Sequence, residues 1–279
     1  MPATLTALFT YPIKSARGVA LRESALGAHG LALDRHWMVV NRAGRQLTGR
    51  EHPRLNLLEV SLEPHGLGLS APGMPDIVVP YEPQGDACQV SVFGHPLEAG
   101  EVSSDLNAWF SQYLSTPAKP LEARLVKFSP SSQRRMNPLY GDQFISFTDG
   151  NPLHLISEAS LADLNARLAL PVTLERFRPN LVVYGDAPYV EDGWRKIRVG
   201  DLEFEVVEAT ARCGMVNLAF GQMLPEPLRT LASYRRVGRS VLFGQNLSFA
   251  RTGTLRVGDA VQVLERQGLA LEGTLEVSG

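Results

Sequence analysis

Short β-like runs of five or six residues, rich in apolar positions, fill the first hundred positions of the chain. Residues 88–93, for example, alternate as expected for a β-strand with one buried face. Gly, Pro, Asn and Asp separate the runs, and many short strands at this spacing favour a barrel or a sandwich. The pattern predicts strands at 5–9, 37–41, 57–62, 76–80 and 88–93.

Two segments instead show the spacing of an amphipathic helix. One follows Ser103 and Ser104, which are suited to cap a helix, and ends before Pro117. The other begins at Ser157 and ends before Pro171, with an apolar face predicted at Leu161, Leu164, Leu168 and Leu170. The remaining pattern predicts strands at 181–184, 196–199 and 202–209, a helix at 225–236, and four short strands between 241 and 264.

These elements predict a mainly β protein of the α+β type with a few helices. We expect an N-terminal β-barrel-like region, residues 1–125, to pack on a β-rich second region, residues 126–270. Residues 129–141 are interpreted as an exposed loop between the halves, so Arg134 is expected to be unrelated to any site. The Gly-Asp pairs at 200–201 and 258–259 are interpreted as tight hairpins.

The net charge and the hydropathy of the chain exclude several classes of binding partner. The 279 residues carry a formal net charge of −2, so no overall field attracts nucleic acid or an anionic membrane. No apolar run reaches the roughly 18 residues that a membrane span needs. The N-terminal residues lack the basic and long apolar segments of a signal peptide, and they lack the arginines of a mitochondrial presequence. We therefore expect a cytoplasmic protein that binds neither membranes nor nucleic acid.

Two cysteines and six histidines offer few ways to bind a metal through side chains alone. The histidines are not paired at zinc-site spacing, and two thiols are too few for an iron–sulfur cluster. Cys88 lies in an alternating strand and is interpreted as a small core residue. Cys213 follows a long strand beside Arg212, where we expect a reactive thiolate or, alternatively, an inert buried cysteine. A metal bound through sulfur would therefore need one cysteine and a ligand that is not protein.

Basic residues at the ends of strands form a second constellation. Lys14 and Ser15 follow the first strand, where they suit a phosphate or form a solvated turn. Arg35 precedes the strand at 37–41 and is suited to clamp a phosphate or to pair with Asp34.

A third basic segment precedes the strand at 181–184. Arg176 and Arg178 are interpreted as lying on the same side of an extended segment, where an anion would relieve their repulsion. Asn180 adds a donor and an acceptor that suit the edge of a heterocycle.

These motifs, taken in order along nearly the whole chain, resemble the MOSC family with its MOSC N-terminal β-barrel domain. The members of this family include the mitochondrial amidoxime-reducing component and bacterial proteins that reduce N-hydroxylated bases. The resemblance rests on Tyr11-Pro-Ile-Lys-Ser15 with Gly18-Val19, Asp34-Arg-His-Trp37, Pro53-Arg-Leu55, Ser157-Glu-Ala-Ser-Leu161, Phe177-Arg-Pro-Asn180, Arg212-Cys213, Phe243-Gly-Gln-Asn246 and Val257-Gly-Asp259.

The resemblance implies a molybdenum cofactor, in which a pterin dithiolene, oxo groups and one protein cysteine hold the metal. Cys213 matches that cysteine and would be both the metal ligand and the catalytic residue. Residues matching the phosphate-binding positions are Lys14, Ser15 and Arg35, and those matching the pterin side are Arg178, Asn180, Thr210 and Arg212.

The implied reaction is the two-electron reduction of a small N-hydroxylated compound, with molybdenum and not pyridoxal phosphate as the cofactor. Some relatives carry a C-terminal ferredoxin, whereas this chain ends at Gly279 without one. We therefore expect a separate electron-donor protein of the flavin, haem or iron–sulfur type. The alternatives are a sulfur carrier with a persulfide on Cys213 and a non-catalytic carrier of the cofactor.

Two departures from the family pattern flank the cysteine. Ala211 stands where many relatives have a serine, so one hydroxyl contact is lost. Residues 214–220 are more apolar than the Thr-rich stretch of many relatives. We expect this loop to border the substrate and to favour N-hydroxylated compounds with an apolar or aromatic body.

Overall fold

The computed structural model describes residues 3–129 and 131–268, and strands dominate it. The strands of the first half are β1 (Leu5–Thr10), β2 (Val19–Leu21), β3 (Glu23–Gly27), β4 (Gly30–Leu31), β5 (Trp37–Asn41), β6 (Glu59–Glu63), β7 (Gly66–Ser70), β8 (Ile77–Pro80), β9 (Ala87–Val92), β10 (His95–Glu101) and β11 (Ala123–Phe128). Those of the second half are β12 (Leu153–Ser157), β13 (Leu181–Val183), β14 (Trp194–Val199), β15 (Leu202–Ala211), β16 (Leu218–Ala219), β17 (Gln222–Met223), β18 (Arg236–Val237), β19 (Ser240–Phe249), β20 (Gly253–Arg256) and β21 (Val261–Arg266).

Helices are few and short in the described part. The α-helices are α1 (Ser104–Leu114), α2 (Glu158–Arg167) and α3 (Leu228–Tyr234). Short 3₁₀ helices cover Pro53–Leu57, Leu174–Arg176, Val190–Gly193 and Gly214–Asn217. The predicted mainly β fold with few helices is confirmed. Within the described residues, no helix is long and apolar enough to cross a membrane.

The largest sheet joins the start of the chain to its second half. Its strand order is β2-β1-β13-β12-β19-β15-β14-β21, with β18 paired to β19. β1 runs antiparallel to β13, and Leu8 lies opposite Leu181. This pairing places β1, which leads to Lys14 and Ser15, beside β13, and the same sheet contains β15, which leads to Cys213.

The smaller sheets form most of the first region. A four-stranded sheet has the order β5-β11-β10-β9, and a three-stranded sheet has the order β6-β7-β8. Both contribute to one apolar core with α1, in which Trp37, Leu67 and Phe110 are fully buried. β11 runs across residues 125 and 126. The predicted boundaries at 125 and 126 stay predictions, and the predicted end at 270 lies outside the described residues.

The ends of α1 and α2 follow from their capping residues. Ser103 Oγ accepts from the Leu106 N–H at 3.3 Å, and Ser157 Oγ accepts from the Ser160 N–H at 3.1 Å. The prediction for Leu170 is wrong, because α2 ends before it and the residue is 81% exposed. The predicted helix at 225–236 is shorter, because Pro227 precedes its first turn and Arg236 pairs with β19.

Two predictions near the end of the chain are wrong. The predicted four strands between 241 and 264 are the three strands β19, β20 and β21. The Gly-Asp pair at 258–259 does not close a hairpin, since β20 pairs with β3 and β21 with β14. Gly258 N–H donates to the Leu5 carbonyl at 2.8 Å, so β1 holds this turn and directs the chain into another sheet. The pair at 200–201 does connect the hairpin of β14 and β15.

A half-buried histidine makes stability depend on pH. Burial lowers the pKa of His36 to about 4, although Asp34 opposes the shift. Folded His36 therefore stays neutral at pH 5, whereas the unfolded chain takes up a proton below about pH 6.5. We expect His36 to contribute a loss of about 2 kcal/mol in unfolding free energy between pH 7 and pH 5. Urea titrations of His36→Phe should show a weaker pH dependence, whereas exposed His95→Gln should match the parent; equal slopes in all three would contradict the prediction.

Candidate functional site

One cavity of about 360 Å³ is lined by residues of both regions. Six basic side chains and two carboxylates lie on its wall, so it favours anions. The wall includes all eight residues that the sequence analysis singled out for a cofactor site. They are Lys14, Ser15, Arg35, Arg178, Asn180, Thr210, Arg212 and Cys213.

β15 ends at the cavity wall, two residues before Cys213. The Arg212 N–H donates to the Val241 carbonyl at 2.7 Å, which continues the β15–β19 pairing to within one residue of the cysteine. The chain then turns in the 3₁₀ helix Gly214–Asn217, where the Val216 N–H donates to the Cys213 carbonyl at 3.2 Å. Cys213 is exposed, so a ligand in the cavity has access to its sulfur.

Cys88 lies in a different environment. It is half-buried in β9 and packs against the apolar core that contains Val90 and Leu97. Burial raises the pKa of its thiol, which disfavours the thiolate. These surroundings agree with the interpretation of Cys88 as a small core residue.

Two guanidinium groups lie on the fully buried ring of Tyr11. The guanidinium carbons of Arg35 and Arg178 are 4.4 and 4.3 Å from the ring centroid, within cation–π distance. Arg178 Nη1 donates to the Ala16 carbonyl, whereas Nη2 is buried and has no partner among the described residues. Burial, followed by the charge of Arg35, lowers the pKa of Arg178 to about 10. An anion at Nη2 would supply the missing acceptor.

Arg35 is held by a buried carboxylate. Its Nη1 donates to both carboxylate oxygens of Asp34, at 2.7 and 2.6 Å, and Asp34 is 1% exposed. Its Nη2 donates to the Arg178 carbonyl at 3.4 Å. Of the two alternatives for Arg35, the structure therefore shows the pairing with Asp34, which fixes the guanidinium on the cavity wall.

Asn180 and Thr210, which match pterin-side positions of the family, form hydrogen bonds to other residues of the protein. Asn180 Nδ2 donates to the Phe9 carbonyl at 3.2 Å, and its Oδ1 accepts from the His154 N–H at 3.2 Å. Thr210 Oγ1 donates to Asn246 Oδ1 at 2.9 Å. These bonds join neighbouring strands, and direct contact of Asn180 or Thr210 with a heterocycle stays a prediction.

His154 is a cavity residue that the sequence analysis missed. Burial, followed by neighbouring arginine charges, lowers the pKa of His154 well below its usual value, so the imidazole is neutral at neutral pH. Its Nε2 lies 3.2 Å from Arg212 Nη1. A Cβ on Gly244 would come within 2.5 Å of the same Nε2, so the glycine leaves room for the imidazole. His154 was not predicted, because a single histidine without a second histidine at metal-site spacing forms no recognisable motif.

Arg212 is oriented from two sides. Its Nη1 faces the neutral imidazole of His154, and its Nη2 donates to the Phe177 carbonyl at 2.7 Å. Its Nε is buried and has no partner in the part of the chain that the structure describes. Because a buried donor without an acceptor is costly, a bound ligand that accepts from Nε would be favoured.

Lys14 is buried and already paired. Its Nζ donates to the Phe147 carbonyl at 2.8 Å and to the carboxylate of Asp149. Burial lowers the pKa of Lys14, and Asp149 opposes that shift. The solvated turn, one alternative from the sequence, is therefore wrong, because Lys14 is 6% exposed. An anion that binds Lys14 must compete with the Asp149 carboxylate.

The expectation that Arg134 is unrelated to the site is wrong. Arg134 Nη1 donates to the carbonyls of Ser146 and Thr148 at 2.6 and 2.7 Å, and Nη2 donates to the Asp149 carbonyl at 3.1 Å. These three bonds hold the segment that carries the carboxylate facing Lys14. Arg134 therefore supports the cavity wall.

Replacing Asp149 with asparagine is expected to increase the affinity for inorganic phosphate about threefold to tenfold, because a competing negative charge is removed from Lys14. Isothermal titration calorimetry on protein dialysed free of anions measures this change. Asp142→Asn is the matched control, since Asp142 pairs with the exposed Arg135 and is not on the cavity wall. Equal phosphate affinities for the two variants would contradict the competition.

Arg176 does not have the geometry predicted for it. The segment is a 3₁₀ helix, Leu174–Arg176, and Arg178 has a φ of 56°, so the two arginines do not alternate along an extended strand. Arg176 donates through Nε to the Val216 carbonyl and through Nη2 to the Glu226 carbonyl, both at 2.8 Å. Its role in the structure is to brace the turn that follows Cys213.

The apolar loop after Cys213 contributes only part of its surface to the cavity. Met215 and Val216 line the cavity, but Val216 is 1% exposed and packs in the core around Phe243. Phe220 is 79% exposed and lies off the cavity wall. Met215 is therefore the residue of this loop best placed to contact a substrate.

Comparisons with known proteins cover almost the whole chain. The family model for the MOSC N-terminal beta barrel domain matches residues 2–117, and that for the MOSC domain matches residues 142–262. Mitochondrial amidoxime reducing component 2 of Rattus norvegicus is 37% identical over 92% of this chain and 82% of its own. Mitochondrial amidoxime-reducing component 1 of Homo sapiens is 36% identical over 94% and 83%, respectively. Molybdenum cofactor sulfurase of Oryza sativa is 35% identical over 88% of this chain but 32% of its own. The chain therefore belongs to the MOSC family, with the MOSC N-terminal beta barrel domain ahead of the MOSC domain.

Proposed function

We propose that this protein is a molybdenum-cofactor-dependent reductase of small N-hydroxylated compounds. Its membership of the MOSC family relates its function to the molybdenum cofactor, and relatives that it matches over most of their length are named amidoxime-reducing components. The observation that carries the proposal is the exposed Cys213 on a cavity whose wall holds buried arginine nitrogens that have no partner among the described residues.

The residues present fit such a cofactor. Within the described residues, no group of three or more His, Cys, Asp or Glu side chains is placed to hold a metal, so a metal would need ligands of its own. In the described part of the chain, three buried polar atoms of cavity-lining residues have no hydrogen-bond partner: Arg178 Nη2, Arg212 Nε and Thr148 Oγ1. Unpaired donors of this kind suit a ligand that is anionic and rich in acceptors.

Each part of the cavity would have a distinct task. Cys213 would contribute a thiolate ligand, and Arg178 and Arg212 would donate to the anionic and heterocyclic parts of the cofactor. Lys14, Ser15 and Arg35 would face its phosphate, with Asp149 released from Lys14. The bound molybdenum would supply the two-electron redox chemistry. Reduction breaks the N–O bond, consumes two electrons and two protons, and releases water.

The electrons would come from a separate protein of the flavin, haem or iron–sulfur type. The cytoplasmic location expected from the N-terminal residues is part of the same proposal, although the two amidoxime-reducing components named above are mitochondrial by name.

Purified protein is the first test of this function. We expect molybdenum and pterin in equal amounts with the protein, and reduction of benzamidoxime to benzamidine with a chemically reduced viologen as donor. Molybdenum and pterin without turnover would favour a non-catalytic cofactor carrier. Protein that binds neither when supplied with free cofactor would contradict the proposal.

A sulfur carrier is the second candidate. It is favoured by the identity of 35% with a molybdenum cofactor sulfurase and by the accessibility of Cys213 to a sulfur donor. Sulfur released by cyanide from protein that contains no molybdenum would support this role. If cyanide releases no sulfur from the parent protein, a stable persulfide on Cys213 is excluded.

A further inference from the structure

The cations of the cavity differ in what they already bind. Lys14 and Arg35 are paired with carboxylates, and the other three inner arginines donate to backbone carbonyls. Arg50 also lines the cavity and is exposed. Among residues 3–129 and 131–268, it has no hydrogen bond, ion pair or ring contact. Within the described residues, Arg50 is therefore the exposed cation of this cavity whose whole guanidinium is unpaired, whereas Arg178 and Arg212 each keep one buried nitrogen for a ligand deeper in the cavity.

The backbone around Arg50 is fixed against the turn that follows Cys213. Ser15 Oγ accepts from the Gly49 N–H at 3.0 Å. A Cβ on Gly49 would lie 2.7 Å from Leu218 Cδ2 and 3.1 Å from Met215 Cε, so the two loops are in direct contact. Arg50, the next residue, is exposed and lines the cavity, so we place it at the cavity mouth near the loop that follows Cys213.

The acidic neighbour of Arg50 does not neutralise it. The Glu51 carboxylate accepts from Arg45 Nη1 at 2.8 Å and from Thr48 Oγ1 at 3.3 Å. These bonds hold the Glu51 carboxylate on Arg45 and Thr48, and no ion pair joins it to Arg50 among the described residues.

The charge of the cavity exceeds what one phosphate group would neutralise. Six basic side chains face two carboxylates on the wall. A phosphate monoester carries about two negative charges at neutral pH. When the Asp34 carboxylate paired with Arg35 is also counted, a surplus of about one positive charge remains, and Arg50 is the exposed cation of the wall.

We infer that Arg50 binds an anionic group of the substrate at the mouth of the cavity, so that N-hydroxylated substrates bearing a carboxylate or a phosphate are preferred. This inference rests on the proposed function. Met215 offers an apolar surface for the body of the same substrate. Arg50 would therefore determine specificity through KM and would contribute little to kcat, because it contacts a part of the substrate remote from the reacting bond.

Benzamidoxime and its 4-carboxylate form the test pair, since they share the reacting group and differ by one charge. We expect the parent protein to favour the carboxylate in kcat/KM, with a reduced viologen as donor. Arg50→Ala should raise KM for the carboxylate about threefold to tenfold and change KM for benzamidoxime much less, so that the ratio of the two values shifts. Arg50→Lys should restore part of the preference. Arg251→Ala is the matched control, because Arg251 is exposed and is not on the cavity wall.

Binding without an electron donor separates this inference from the proposed function. Calorimetric titration of both compounds into parent protein and Arg50→Ala should show the charge preference and its loss even where no turnover follows. Such binding without turnover would support the role of Arg50 and contradict the reductase. Equal binding of the carboxylate by both proteins would overturn the inference. Loss of molybdenum from Arg50→Ala would also overturn it, since Arg50 would then bind the cofactor.

Discussion

Cys213→Ser is expected to abolish molybdenum-dependent turnover, with a loss on the order of 100-fold or more. Serine keeps the shape of the side chain but offers a hydroxyl, which is a harder and far less acidic ligand than a thiol. Cys213 is exposed, and its backbone carbonyl, not its side chain, accepts the bond from Val216. The fold should therefore persist, so that the thermal transition of the variant matches that of the parent protein while the rate of benzamidoxime reduction falls.

Cys88→Ser is the matched control for this substitution. Cys88 lies in β9, where it is half-buried against the apolar core, and it is not on the cavity wall. A hydroxyl there should lower the free energy of unfolding by about 1 kcal/mol, because burying a hydroxyl against an apolar core is unfavourable. Activity and molybdenum content per folded molecule should be retained. An inactive Cys88→Ser protein beside an active Cys213→Ser protein would contradict the assignment of the thiol.

Local signals accounted for most of the secondary structure. The short apolar run at 37–41 and the Ser103 cap predicted β5 and the start of α1, because each depends on residues adjacent in the chain. The hairpin predicted at 258–259 failed because the turn is held by Leu5, more than 250 positions earlier. A pairing over that distance depends on tertiary packing, which short sequence patterns do not record.

The candidate site shows the same division between local and distant information. The order of motifs along the chain was sufficient to predict which residues would line one cavity, including Arg178 and Cys213. What each side chain binds was not predictable, because the partners come from remote segments. Asp149 reaches Lys14 and Arg134 holds the segment of Asp149, although neither contact leaves a pattern in the sequence.

The roles of the arginines were the hardest part to predict from composition. All of them carry the same charge, yet Arg176 braces a backbone turn and Arg35 pairs with a buried carboxylate. Arg178, in contrast, keeps one buried nitrogen without a partner. Burial and hydrogen bonding, which the sequence does not display, therefore separate arginines that support the wall from those that await a ligand.

Arg178→Met is expected to lower the affinity for the cofactor about 10- to 100-fold, because one charge-assisted contact is worth roughly 1.5–3 kcal/mol. Methionine keeps much of the apolar stem but removes the buried donor and the cation on Tyr11. Molybdenum and pterin per folded molecule after gel filtration measure the effect. Arg235→Met is the matched control, since Arg235 is a buried arginine that pairs with Asp192 away from the cavity. It should lose about 3–5 kcal/mol of stability and retain the cofactor in its folded fraction. Equal cofactor content in the two folded variants would show that the unpaired nitrogen of Arg178 does not face the ligand.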